Sequence, residues 1–313
     1  MKFRTEIQIS PASFSITHHD GVLLIGSCFT EHIGNKLEAS GFQVDINPFG
    51  VLYNPLSVAS GLNTLIKGKV YTERDLFEHH GLYASFSHHS KFSALNKDAC
   101  LENINQRMRV SEQFLKKASV LIVTFGTSYV YRLKSTGEIA SNCHKLPAGQ
   151  FTHERLSVDE IVSVWQPLIK TLLTINPEIK LLFTVSPIRH WKDGAHENQL
   201  SKATLLLAIE ALQQEFISYF PAYELVLDDL RDYRYYAEDM LHPSSTAVDY
   251  IWEKFSSTYF DKPTEQVIAE YHSIYQALQH RPFNSDSDTY RTFYANTQEK
   301  LALFRKRFPL FFL

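Results

Sequence analysis

Two short stretches carry side chains whose types and spacing could do chemistry together. The first is Gly26-Ser27-Cys28-Phe29-Thr30, which follows the apolar run Val22-Leu23-Leu24-Ile25 and leads at once into a helical pattern. Such a stretch predicts a buried strand turning sharply into a helix, where doubly wound α/β proteins place nucleophiles and phosphate-binding loops. A serine there can face a ligand while the new helix points its unused N–H groups at the same place, as an oxyanion needs. Serine is also a favoured N-cap residue, so local sequence leaves both capping and catalysis open for Ser27. The second stretch is Asp239-Met240-Leu241-His242-Pro243. An aspartate three residues ahead of a histidine, just before a helix, can turn its carboxylate back to the imidazole Nδ1 and leave Nε2 facing the strand ends. That is the oriented base a serine nucleophile requires. Taken alone, the pattern also fits a loop residue followed by a helix-start residue.

Cys28 competes as a nucleophile, because a helix N-terminus stabilises a thiolate. Side chains one apart on a helix do not share a face, so His242 cannot serve both Ser27 and Cys28. The other role open to Cys28 is that of a buried core thiol.

The elements that must position these residues alternate. Strands are predicted at Val22 to Ile25, Phe42 to Ile46, Val120 to Phe125, Ile179 to Val185 and Tyr223 to Leu227. Helices are predicted at about Thr30 to Ser40, Pro55 to Lys67, Lys97 to Lys117, Val158 to Ile175, Ser201 to Tyr219 and from His242-Pro243-Ser244 to about Tyr259, with Pro243 in the first turn. This alternation implies a three-layer α/β/α domain with a parallel five-stranded sheet in the flavodoxin-like order 2-1-3-4-5. Residues 1–260 form that domain, with an arm over residues 1–20 and rim insertions at about 68–97 and 129–156. The second insertion holds a hairpin, Tyr129 to Arg132 and Glu138 to Ser141. Residues 261–313 form a helical extension, and its apolar end, Phe308-Pro309-Leu310-Phe311-Phe312-Leu313, is expected to dock on the protein itself. In such a sheet the site lies beyond the carboxyl ends of the strands. Gly26-Ser27, Asn47-Pro48-Phe49-Gly50, Gly126-Thr127-Ser128, Ser186-Pro187 and the loop before His242 all fall there.

Composition excludes several function classes. The chain has 313 residues, 44% of them hydrophobic, with Lys+Arg 31 against Asp+Glu 34 and a net charge of -3, so it lacks the basic footprint of a nucleic-acid partner. No window is long and apolar enough for a membrane span, and charges stand where a signal peptide would need its apolar core. Cys28, Cys100 and Cys143 are too few for a disulfide framework. A cytoplasmic protein with a small-molecule substrate is expected. His79-His80 and His88-His89 lack the carboxylate or cysteine pattern of a metal site and are expected at the surface or the substrate rim; no metal and no cofactor is predicted.

Several separated motifs then occur in order: Gly26-Ser27-Cys28-Phe29-Thr30, Ile33-Gly34, Gly41-Phe42, Asn47-Pro48-Phe49-Gly50 with Tyr53-Asn54-Pro55, Thr124-Phe125-Gly126-Thr127, Asn142-Cys143-His144-Lys145 and Asp239-x-x-His242-Pro243. Over about residues 3–260 the chain resembles the GSCFA family, whose name has Ala where this chain has Thr30. That family is similar to the SGNH or GDSL hydrolases, metal-free flavodoxin-like esterases, lipases, deacetylases and some acyltransferases. The resemblance implies Ser27 as nucleophile with Asp239 and His242 as its partners. It also implies an oxyanion hole from the N–H groups of Ser27 and Gly50. Two departures stand out. SGNH proteins have Asp between Gly and Ser, whereas Gly26 here directly precedes Ser27, and the oxyanion Asn expected after the third strand is replaced by Gly126-Thr127-Ser128. The Thr127 hydroxyl can donate one hydrogen bond in its place, or Asn142 or His144 can swing in. Asn142, His144, Tyr53 and Trp191 are the expected substrate contacts. The function implied is hydrolysis of an O-acyl ester, most simply an acetyl ester of a carbohydrate-like substrate. An O-acyltransferase with the same triad and a non-catalytic binding or scaffold relative are the alternatives.

Overall fold

The computed structural model describes residues 4–280, 287–309 and 311. In chain order its elements are β1 (Gly21–Gly26), α1 (Cys28–Ala39), β2 (Gln43–Ile46), α2 (Pro55–Lys67), β3 (Phe77–His79), β4 (Leu82–Ala84), α3 (Lys97–Leu115), β5 (Val120–Phe125), β6 (Tyr129–Leu133), β7 (Ile139–Ala140), β8 (Phe151–Arg155), α4 (Val158–Ile175), β9 (Lys180–Val185), α5 (Ala195–Ala211), β10 (Ile217–Phe220), α6 (Ala222–Glu224), α7 (Ser245–Tyr259), α8 (Lys262–Gln279) and α9 (Asp288–Arg307). The main sheet is five-stranded, all pairs parallel, in the order β2-β1-β5-β9-β10. Numbered by the strands of this sheet alone, that is the expected 2-1-3-4-5.

Strand periodicity splits the core into two layers. Leu23 and Ile25 of β1, Leu121, Val123 and Phe125 of β5, and Leu181, Phe183 and Val185 of β9 face one layer, which α2, α3, α4 and α5 cover. Val22, Leu24, Val120, Ile122 and Leu182 face the other, covered by α1 and α7. Because both faces are buried, the strands are near-continuous apolar runs rather than alternating ones. The N-terminal arm closes the second layer: Ile16 is fully buried there, and its N–H donates to the Tyr259 carbonyl over 2.7 Å.

The last strand departs from expectation. The edge strand is Ile217–Phe220, while Tyr223 to Leu227 is helical: α6 continues as a π-helical turn, Leu225–Asp229, with Leu225 and Val226 buried in the second layer. A short apolar run fits a buried strand and a buried helical turn equally well, and Pro221 ends the strand ahead of it. For the same reason α5 stops at Ala211 instead of running to Tyr219. Pro243 is also outside its helix. Ser244 is the N-cap of α7, its hydroxyl accepting from Ala247 N–H, and Pro243 bridges to Tyr236.

The rim insertion after β5 is a three-stranded antiparallel sheet, β7-β6-β8, one strand more than the expected hairpin. The insertion after α2 carries the β3–β4 hairpin and buries His88 completely, ringed by Phe49, Tyr71 and Phe92, contrary to its expected surface place. At the C-terminus α8 and α9 pack through Tyr271, Ile274, Leu301 and Phe304. Phe311 joins that cluster and packs, with its ring tilted, against His18 of the arm. The rest of the apolar end, residues 310, 312 and 313, lies outside the described residues. Among the described residues no helix is long and apolar enough to cross a membrane.

Candidate active site

The turn after β1 is held before it is functional. Gly26 has φ +147°, and a Cβ there would stand 2.2 Å from the Thr124 carbonyl oxygen, so only glycine fits. Its N–H donates to Asn47 Oδ1 over 2.9 Å, and its carbonyl accepts from Leu52 N–H over 2.8 Å. Ser27 follows at the N-cap of α1, with extended backbone (φ −69°, ψ 174°), yet its side chain caps nothing. The residue is 1% exposed, and its Oγ has no hydrogen-bond partner among the described residues. A buried hydroxyl left unpaired is rare enough to call for an explanation.

The second stretch folds as its spacing suggests. Asp239 Oδ1 accepts the backbone N–H groups of Leu241 and His242, each over 2.9 Å, and Oδ2 lies 2.5 Å from His242 Nδ1. These three donors hold the Asp239 carboxyl at about 2, below its ordinary 3.8, the backbone bonds contributing most. An ionised carboxylate only accepts, so the imidazole proton sits on Nδ1 and Nε2 is left as the base. The pair is half exposed, with side-chain exposures of 46% for His242 and 48% for Asp239.

Ser27 and His242 line the same cavity, of about 540 Å³. No hydrogen bond joins them, and bonds of this kind need form only in the complex with substrate. Tyr53, Thr127 and Asn142 line the cavity as expected, with the aromatic wall Tyr129, Tyr131, Phe151 and His153 supplied by the three-stranded insertion. His144 does not line it: its Nε2 lies 2.9 Å from the Ser85 carbonyl, and its ring packs edge-on to Phe77. Trp191 is likewise displaced, lining a separate groove on the far side of the Asp239–His242 loop.

Both expected backbone oxyanion donors are already engaged. Ser27 N–H donates to Thr124 O over 3.1 Å, because β1 keeps pairing with β5 to its last residue. Gly50 N–H closes a turn onto Asn47 O over 2.8 Å, and a Cβ on Gly50 would stand 2.2 Å from His89 Cβ, so the insertion after α2 seals it off from the cavity. Other donors stand nearby. The N–H groups of Cys28 and Phe29, at the start of α1, carry no carbonyl partner among the described residues. Asn54 Oδ1 accepts from Ser57 N–H over 2.8 Å to cap α2, which leaves its amide nitrogen, unpartnered among the described residues, at the cavity. The Thr127 oxygen accepts from Tyr129 N–H over 3.1 Å and lies 3.0 Å from Ser201 Oγ. Ser201 Oγ itself accepts from Ser128 N–H and Ser128 Oγ. With the Ser201 proton given to Thr127, the Thr127 proton is left for the cavity. Burial raises the Cys28 thiol above its usual value, which weakens it as a nucleophile.

Two basic residues stand close to Ser27, and one of them, Lys202, had no signal in the sequence that marked it as part of the site. Lys202, in the middle of α5, is fully buried and donates to the Gly126 and Ser186 carbonyls, each over 2.6 Å, with burial lowering its ammonium to about 7. It reads as an ordinary helix lysine until the crossover brings α5 beneath the strand ends. His190 lines the cavity: a Cβ on Gly126 would stand 3.3 Å from both its Nε2 and the Ser27 Cβ. Burial, then the nearby lysines, depress it to about 4, and among the described residues no carboxylate bonds to its ring. Among the described residues no group of three or more His, Cys, Asp or Glu could hold a metal ion.

Solved structures similar to the chain include two carbohydrate esterases. A Clostridium thermocellum family 3 carbohydrate esterase matches 80% of this chain with 97% of its own, at 10% identity and a TM-score of 0.36. A family 3 carbohydrate esterase from Talaromyces cellulolyticus matches 80% with 99% of its own, at 10% identity and a TM-score of 0.35. Similarities this distant say nothing about what the present chain acts on. No curated protein matches the sequence. The GSCFA family matches residues 21–255, and the C-terminal domain of GSCFA domain proteins matches residues 272–313. Through a match over most of its length, with Ser27, Asp239 and His242 inside it, the chain belongs to the GSCFA family.

Proposed function

We propose that this protein is a serine esterase that cleaves an O-acyl ester through an acyl-Ser27 intermediate. One observation carries the reading: a buried Ser27 hydroxyl that caps nothing shares a cavity with a histidine whose tautomer Asp239 fixes. Ser27 Oγ attacks the acyl carbon as His242 Nε2 takes its proton. Asp239 stabilises the resulting imidazolium. The C–O bond to the alcohol then breaks, and His242 returns the proton to the leaving oxygen. Water, activated by the same Nε2, releases the acid and restores Ser27.

For the oxyanion we assign the Cys28 N–H, the donor next to the nucleophile, together with the Asn54 amide and the Thr127 hydroxyl. Removing one such donor costs about 10²–10³ in kcat. In its protonated form Lys202, bonded to the Gly126 carbonyl, adds positive potential in a site shielded from water. The cavity is far larger than an acetyl group, and its mixture of rings and hydrogen-bonding side chains, among them Tyr53, Tyr129, Asn142 and Asp193, suits a carbohydrate-like substrate.

A binding protein on the same scaffold is the second reading, favoured by the prior engagement of Ser27 N–H and Gly50 N–H. A serine-reactive fluorophosphonate separates the two. Mass spectrometry should find one adduct on Ser27, together with hydrolysis of an activated acetate ester that Ser27→Ala abolishes. Absence of the adduct, or equal hydrolysis by both proteins, refutes the esterase.

A further inference from the structure

The loop from Asp239 to His242 is a partition. On one side is the cavity that holds Ser27; on the other is a groove of about 460 Å³ lined by Trp191, Arg231, Tyr233, Tyr236 and Met240. Arg189 lines both. It lies four residues beyond β9, in the connection that leaves the carboxyl end of an interior strand of the sheet.

Its surroundings are unusual for an arginine. The side chain is half-buried, yet the guanidinium makes no hydrogen bond or ion pair among the described residues. Every carboxylate lining the two spaces has another partner: Asp239 is held by His242, Asp232 by Arg234, and Asp193 lies 3.7 Å from His153 Nε2. Arg231 and Lys192 add further positive charge, the first in the groove, the second in the cavity, where its ammonium lies 4.8 Å from the Tyr131 ring centre. A partly desolvated guanidinium without an acid costs stability, and five donors in a rigid fork match a carboxylate or phosphate two bonds at a time. Trp191 and Tyr233, 52% and 73% exposed, offer ring faces beyond it.

We propose that Arg189 anchors an anionic group, a carboxylate or a phosphate, carried on the alcohol side of the substrate, with the Trp191–Tyr233 groove holding what lies beyond it. The side follows from the proposed esterase mechanism, on which this inference rests. His242 must reach the leaving oxygen to return a proton, and the groove begins where the His242 loop ends. The acyl group then points away from it, toward the three-stranded insertion.

The test uses binding, so that it does not depend on turnover. Three esters are titrated calorimetrically into the full chain carrying Ser27→Ala: 4-acetoxybenzoate, its neutral methyl ester, and 4-acetoxyphenyl phosphate. At least one anion should bind tenfold or more tighter than the methyl ester, and the tighter of the two identifies the group. Arg189→Gln added to Ser27→Ala should erase that preference, and Arg189→Lys should restore part of it, since a point charge replaces the fork. Equal binding of charged and neutral esters, a preference that survives Arg189→Gln, or no binding of any of the three overturns the proposal. If the protein with Ser27 intact hydrolyses no ester while the anion preference holds, the esterase reading fails and the anion site stands. If hydrolysis proceeds without the preference, only the anion site falls.

Discussion

The two halves of the candidate site are built in opposite ways. Ser27 sits where three strand-end segments are tied together, with Gly26, Asn47 and Thr124 linked by short hydrogen bonds and Lys202 beneath. The Asp239–His242 pair rides on an exposed loop, held mainly by its own hydrogen bonds and by a short bridge from Tyr236 to Pro243. In the proposed mechanism, a nucleophile whose position must not vary is placed by the core. A base that must first accept a proton and later deliver it to a different oxygen gains from a loop able to close on substrate. Across this divide no hydrogen bond joins Ser27 Oγ to His242.

Substitutions should separate the halves cleanly. His242→Ala should lower kcat by about 10²–10⁴-fold, the usual worth of a general base, and leave Tm unmoved because the side chain is half exposed. His190→Ala is the control, since His190 lacks an orienting acid; a larger loss from His190 than from His242 would exchange their roles. Asn47→Ala should show the opposite signature. It strips the buried Gly26 N–H of its acceptor, which costs about 1–3 kcal/mol, so denaturation should come at lower urea while any surviving activity keeps its pH profile. A fully stable Asn47→Ala protein would mean that the Ser27 turn is held by the β1–β5 ladder alone.

How much of this was legible beforehand follows from the physics of each piece. The sheet order and the strand-to-helix turn at Ser27 were readable because buried parallel strands are apolar runs closed by turn residues. Asp239 and His242 were readable because a three-residue spacing is a local contact. The surroundings of Gly50 could not be read locally: its N–H closes onto Asn47 O, and His89, nearly forty residues later, packs over it. His144 and Trp191 were misplaced, since the side of the rim on which an insertion turns depends on partners such as Ser85 and the Asp239 loop. Lys202 was invisible, because its burial comes from the crossover and not from its neighbours in sequence. Tyr223 to Leu227 failed as a strand since five residues are too few for periodicity to decide.

The buried and exposed halves also differ in how protons reach them, and the smallest predicted effect follows from that. Burial depresses His190 to about 4 and His88 to about 3, both from 6.5. Between 6.5 and these values the unfolded chain binds protons that the folded chain refuses, so stability falls as pH falls, by up to about 1.4 kcal/mol per pH unit for each group. Lys202 acts in the same direction at higher pH: with its folded value near 7 against 10.5 unfolded, stability rises from pH 7 toward 10. His88 allows an isolated test, because neither ring nitrogen has a hydrogen-bond partner among the described residues and its neighbours are the rings of Phe49, Tyr71 and Phe92. His88→Leu therefore removes a titrating group without orphaning a polar one. Urea denaturation from pH 7.5 to 4.5 should show the variant losing about one proton's worth of slope below pH 6.5, and being relatively more stable the lower the pH. Parallel curves for the two proteins would mean that His88 takes up its proton within the fold, and the acid sensitivity would then have to come from His190 and from the exposed half of the site.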